Sequence, residues 1–178
     1  MATINSHEAS PWTTSRWSYD AYLSFKGVDT PHRFTYHLYS ALMIKGLSTF
    51  RDDAELERGE DIMPKLQKAI EGPRVSIIVL SNKYASLRWC LEELVMILKC
   101  RSTTGYIVLP VFYNVDPSEV RTQTGSFKEA FMRHERRIEM EMGEQKEYLK
   151  GKVQEWRMAL KEVADLGGIQ FSPNIFYS

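Results

Sequence analysis

Six consecutive residues, Val75-Ser76-Ile77-Ile78-Val79-Leu80, are apolar or small and rich in β-branched side chains. Such a run without alternation predicts a strand covered on both faces, as in the middle of a parallel sheet. Ile107 to Tyr113 repeats the pattern, and Tyr19 to Phe25 predicts a first strand. Between these runs the apolar period lengthens to that of amphipathic helices. Thr30 to Lys45 predicts a helix with Pro31 in its first turn, where the missing N–H does no harm, and Gly46 at its stop. Leu47 to Phe50 is a short second strand, Arg51 to Glu60 a charged loop, and Asp61 to Glu71 a helix ended by Gly72-Pro73. Further helices are predicted over Leu87 to Cys100, Phe127 to Met142 and Val153 to Ala164, the last with Val153, Trp156, Leu160, Val163 and Ala164 on one stripe. Asp116-Pro117-Ser118 predicts a loop. No fifth strand shows in the pattern, and from Gly167 the chain reads as a frayed tail.

Strands alternating with helices predict an α/β fold with a doubly wound parallel sheet. The expected division is a flexible tail over residues 1–17, one domain over 18–168 and a C-terminal tail over 169–178. Ligands of such sheets bind beyond the C-terminal strand ends, at the topological switch point. Three loops should therefore carry the chemistry: Ser24 to Asp29, Arg51 to Glu60, and Ser81 to Trp89.

The third helix is the most informative. At about 100° per residue, Leu87, Leu91, Leu94, Val95 and Leu98 fall on one stripe expected to face the sheet. Trp89 and Glu93 fall on the opposite side, one turn apart. A tryptophan turned from the core needs cover from a loop or a ligand. Glu93 lies near the positive end of the helix dipole, which favours its ionised form. An aromatic plane beside a fixed carboxylate suits a ribosylated heterocycle and the positive charge that develops as an N-glycosidic bond breaks. The plainer reading has Glu93 complementing the dipole and Trp89 packed under a loop.

Two other segments carry alternatives of the same kind. Ser24-Phe25-Lys26-Gly27-Val28-Asp29-Thr30 runs into a helix N-terminus, a natural seat for phosphate oxygens, or is an ordinary strand-to-helix turn. The Arg51 to Glu60 loop is a solvated turn, a protein-docking loop, or a pyrophosphate contact through Arg58 beside Gly59. On the first helix, Phe34, Leu38, Ala41, Leu42 and Lys45 form the predicted inward stripe, and Tyr36, Tyr39, Ser40 and Met43 the outward one. Outward aromatics and methionine suit an interface, against which stands ordinary scattered surface apolarity.

Composition narrows the classes. Of 178 residues, 43% are apolar and 26% charged, with 23 basic and 23 acidic side chains. That balance suits one soluble domain, and a formal net charge of zero gives no field that would indicate nucleic acid. The polar N-terminal stretch lacks the apolar core of a secretory signal, and no apolar run reaches the roughly 20 residues needed to span a bilayer. No membrane association is expected. Cys90 and Cys100 lie ten residues apart in one helix, which rules out a short bridge and suits reduced cytosol. The four histidines, His7, His32, His37 and His134, show no metal spacing with either cysteine, and neither a G-x-x-x-x-G-K-[ST] loop nor a G-x-S-x-G elbow occurs. A phospho-receiver of similar topology needs acidic residues ending the first and third strands, where Ser24-Phe25 and Leu80-Ser81 stand instead.

The ordered motifs Tyr19-Asp20-Ala21-Tyr22-Leu23-Ser24-Phe25-Lys26-Gly27-Val28-Asp29-Thr30, Thr49-Phe50-Arg51-Asp52, Leu56-Glu57-Arg58-Gly59-Glu60, Ser81-Asn82-Lys83-Tyr84-Ala85, Trp89-Cys90-Leu91-Glu92-Glu93-Leu94 and Pro110 to Arg121 closely resemble plant TIR (Toll/interleukin receptor) domains. The resemblance runs over about Ser18 to Gly168. It implies a flavodoxin-like, five-stranded parallel sheet, and so supplies the missing strand. It implies an NAD⁺ nucleosidase of innate immunity, switched on by homo-oligomerisation, with NAD⁺ as substrate and no cofactor. Glu93 matches the family's catalytic glutamate, Trp89 its tryptophan, and Phe25 to Thr30 its nucleotide-contacting loop. Hetero-association with other TIR proteins and a cytoplasmic place, with the nucleus as a second compartment, belong to the same expectation.

Three departures stand out. The family's Arg-Gly-Glu-Asp-Thr-Arg stretch reads Lys26-Gly27-Val28-Asp29-Thr30-Pro31, without two arginines and a glutamate. The Ser-His pair of its first-helix association surface reads Tyr36-His37, so the expected surface is Tyr36, His37, Tyr39, Ser40 and Met43. Receptor members continue into a nucleotide-binding domain and leucine-rich repeats; the choice is between a TIR-only protein and an N-terminal part of a receptor, with Met1 read as an authentic start. The alternative to the enzyme is a non-catalytic adaptor acting through homotypic contacts.

Overall fold

The computed structural model describes residues 19–26, 32–51 and 62–173. Five parallel strands form one sheet in the order β2-β1-β3-β4-β5. They are β1 (Ala21–Ser24), β2 (Thr49–Arg51), β3 (Val75–Leu80), β4 (Ile107–Tyr113) and β5 (Ile169–Phe171). The helices are α1 (His32–Ile44), α2 (Ile62–Glu71), α3 (Arg88–Thr104), α4 (Pro117–Thr122), α5 (Gly125–Glu139) and α6 (Gly143–Asp165), with a 3₁₀ turn at Tyr84–Ser86. The flavodoxin-like sheet is as expected.

The period of two along β3 explains why the sheet is covered on both faces. Ile78 and Leu80 join the cluster built with α3, α5 and α6, while Ile77 and Val79 join the one to which α1 contributes Phe34, Leu38, Tyr39 and Leu42. Leaving β1, the chain first adds β2 on one side and then crosses back to place β3 on the other. The switch point thus lies between the C-terminal ends of β1 and β3, where Ser24 pairs with Ile78.

Four sequence expectations are corrected. Asp116-Pro117-Ser118 starts helix α4 instead of a loop: the Asp116 carboxylate accepts from the Ser118 N–H at 2.7 Å, and Pro117 occupies the first helical turn. Helix α6 begins at Gly143, ten residues before the predicted Val153, because the charged stretch from Glu144 onward hid its period. The segment read as a C-terminal tail from residue 169 opens with β5, which pairs with β4 from Val111↔Ile169 to Tyr113↔Phe171. Strand and helix can meet there because Gly168 has no side chain: a Cβ would stand 2.1 Å from the Pro110 carbonyl oxygen. Finally, in α1, Tyr39 packs against the core and Ala41 is exposed, the reverse of the predicted stripes.

Candidate active site

At the switch point the strand ends are laced to the turn that launches α3. Tyr84, wholly buried, donates its hydroxyl to the Cys90 carbonyl at 3.1 Å. Its single proton is then committed, so Ser24 Oγ donates to it across 3.2 Å. Lys26 Nζ donates to Ser86 Oγ at 2.6 Å, and that hydroxyl donates onward to the Lys83 carbonyl, also at 2.6 Å. From the other side His134 of α5 bonds the Ala85 carbonyl. Ser81, just past the end of β3, is buried with an Oγ that has no partner among the described residues.

Helix α3 starts from this lattice, and it is enclosed rather than amphipathic. Every residue from Cys90 to Val95 is buried, as are Ile97 and Leu98, whereas Leu87 of the predicted inward stripe is exposed. Two adjacent acids inside it face different partners. Glu92 meets Lys152 of α6 at 3.2 Å and Arg88 at 3.6 Å. Glu93, only 1% exposed, accepts a 2.6 Å hydrogen bond from the Tyr22 hydroxyl on β1. The expectation that Trp89 and Glu93 project outward from the helix is thus corrected: Trp89 is half-buried and Glu93 enclosed, because α3 is packed against the sheet, the 3₁₀ turn and α6 together. Their spacing of one helical turn holds.

Burial and charge shape the flanks. Lys152 is held above the ordinary lysine range: burial pulls the other way, but bonds to Glu155 and Glu92 outweigh it. Glu155 is held low, first by the bond from Lys99. A cavity of about 570 Å³ lies between α5 and α6 and another of about 210 Å³ between α3 and α6, and Glu93 and Trp89 line neither. Among the described residues no cluster of His, Cys, Asp or Glu could hold a metal. None of the described helices is long and apolar enough to cross a membrane.

The TIR domain family matches residues 18–174 of this chain. The chain belongs to that family. This TIR domain is 49% identical over 173 residues to the disease resistance protein RPV1 of Vitis rotundifolia, a match covering 94% of this chain and 12% of the relative. It is 48% identical over 160 residues to the TMV resistance protein N of Nicotiana glutinosa, covering 90% of this chain and 13% of that protein. The chain therefore spans only about an eighth of the length of these curated relatives. The TIR domains of the activated Roq1 resistosome, solved directly recognizing the pathogen effector XopQ, superpose with a TM-score of 0.74 at 44% identity, covering 89% of this chain and 90% of that one.

Within the TIR domain, Phe25 and Lys26 follow β1 directly, and both are buried. Phe25 packs with Leu23 and Val79 on the α1 face. Gly27, Val28, Asp29, Thr30, Arg58 and Gly59 lie outside the described residues. Tyr36, His37 and Met43 are exposed on α1, with Ser40 half-buried beside them; Tyr39 is drawn inward, and Arg51 lies 5.1 Å over its ring. Sequence reasoning missed Tyr22, whose hydroxyl bonds Glu93. Its signal was a phenol at a buried strand position, where a hydroxyl needs a partner.

Proposed function

We propose that this TIR domain is an NAD⁺ nucleosidase, with Glu93 its catalytic carboxylate and self-association its switch. The observation that carries the reading is the burial of Glu93, an acid bonded to Tyr22 on β1 with Trp89 one helical turn away. The C1′–N bond to nicotinamide breaks with its electron pair leaving on the ring nitrogen, which becomes neutral. Positive charge appears on the ribose, where a fixed carboxylate in a water-poor site stabilises it far more than one in bulk water. Water then adds to C1′ and releases a proton, giving ADP-ribose. Trp89 shelters the heterocycle, and Phe25 to Thr30 with Arg58 and Gly59 form the remaining substrate contacts.

An acid 1% exposed in the single chain must become accessible before it meets substrate, and this supports gating by assembly. The similarity to TIR domains solved within an assembled resistosome supports the same switch, as does the exposure of Tyr36 and Met43 on α1. The adaptor reading draws on the same exposed helix face together with the sealed acid. Incubating the concentrated domain with NAD⁺ and following nicotinamide separates the two: release that disappears in Glu93→Ala supports the enzyme. No release at any concentration leaves only the adaptor, and full release by Glu93→Ala removes Glu93 as the catalytic carboxylate.

A further inference from the structure

Helices α5 and α6 pack together on the sheet face opposite α1, and their outward sides differ in kind. Most charges along α6 are paired, as Lys150 is with Glu147 at 3.2 Å and Glu162 with Arg101 at 3.6 Å. On α5, Arg133, Arg136 and Arg137 are exposed, and none forms an ion pair among the described residues. At about 100° per residue, Met132, Arg136, Met140, Arg133 and Arg137 follow one another across a single arc, with Glu129 the one acid among them. Met132 and Met140 are both exposed. Arginine and methionine are the residue types enriched where proteins meet, whereas lysine and glutamate are depleted there.

The cavity of about 570 Å³ between α5 and α6 has the opposite character. Its buried lining is apolar, Ile138 and Val153, and its rim carries Glu135, Glu139 and Glu147. Gly151 opens its wall: glycine inside a helix weakens it, and a Cβ here would meet no atom within 4 Å. Packing within one chain does not require that glycine, whereas room for an incoming group does. The rim glutamates bond Arg157, Lys146 and Lys150 at the surface, where an ion pair contributes little and can be exchanged. Methionine side chains suit the apolar floor, and guanidinium groups suit the carboxylates above it.

We propose that a second copy of this chain docks here, the Met132 to Met140 ridge of one copy entering the glutamate-rimmed cavity of the other. About a two-fold axis the contact forms twice. The proposal rests on the reading that the domain self-associates and adds a surface to it. Since α1 covers the opposite face of the sheet, contacts of two kinds let an assembly grow beyond a dimer.

The test is assembly itself, followed by sedimentation velocity and independent of turnover. Arg133→Glu with Arg136→Glu reverses the ridge, and Glu139→Lys with Glu147→Lys reverses the rim. Each double variant alone should raise the Kd of self-association about tenfold or more, and an equimolar mixture should recover it, because every contact of the mixed pair joins opposite charges. Gly151→Leu fills the cavity and favours the helix, so association should weaken about tenfold while the melting temperature rises. Added to the rim variant, it should abolish recovery in the mixture. Association or recovery that Gly151→Leu leaves intact overturns the proposal, as does a parent-like Kd in the charge variants; self-association then lies elsewhere. A parent that remains a single chain at every concentration removes the self-association reading and this contact together.

Discussion

His134 on α5 donates from Nε2 to the carbonyl of Ala85, 2.8 Å away. A carbonyl accepts only, so the proton of the neutral ring is placed on Nε2. The bond joins α5 to the 3₁₀ turn from which α3 and its acid depart, while the ring lies 5.3 Å from that of Trp156. Burial lowers the pKa of His134 below its ordinary value, the bond to Ala85 opposes this, and Arg137, Arg133 and Arg88 lower it further.

The pH dependence follows from that direction. With the folded value below the unfolded one, near 6.5, the unfolded chain binds more protons in the interval between them. Stability is then fully present above the unfolded value and is lost as pH falls toward the folded one. Urea midpoints should fall between pH 7 and 5 more in the parent than in His134→Gln, at fixed ionic strength. Parallel slopes for the two proteins would remove His134 as the cause.

Lys152 is the main cation on a nearly buried Glu92. Among the described residues, Lys152→Met leaves that charge with Arg88 at 3.6 Å and should cost about 1 to 3 kcal/mol in urea unfolding. The double variant Glu92→Leu with Lys152→Met should regain most of the loss, because no charge is then stranded. Additive losses would show that the pair is not coupled.

Gly168→Ala sets a Cβ 2.1 Å from the Pro110 carbonyl oxygen, a backbone atom that cannot swing aside. A loss of about 2 kcal/mol or more is expected, with faster amide exchange in β5. Gly143→Ala is the control: its φ of +60° is strained, but no atom lies within 4 Å, so about 1 kcal/mol is expected. Equal melting temperatures in the two variants would contradict the account of β5.

Tyr36 and Met43 are 58% and 44% exposed, so replacing both with serine should leave folding stability within about 0.5 kcal/mol. If α1 is the association surface, sedimentation velocity at high concentration should show smaller species, and nicotinamide release should fall with them. Unaltered assembly would place the contact elsewhere.

The strands over Val75–Leu80 and Ile107–Tyr113 were legible to the residue, since a strand covered on both faces has to be apolar almost throughout. Strand β5 was not: Ile169 and Gln170 are exposed, and three residues carry no readable period. The Asp116 cap and Pro117 were visible signals of α4, yet six residues contain too little helix to show a stripe.

By itself the sequence determined the order of strands and helices from β1 to β4, the family and the spacing of Trp89 and Glu93 one turn apart, because all three depend on local pattern. What surrounds that acid was decided by tertiary structure alone. Glu93 meets a phenol 71 residues earlier in the chain, and Glu92 meets a lysine 60 residues later. A glutamate in a helix reads as polar and outward unless its distant partners are known. Here they turn two neighbouring acids inward: Glu92 is met by Lys152 and Arg88, and Glu93 accepts a bond from Tyr22.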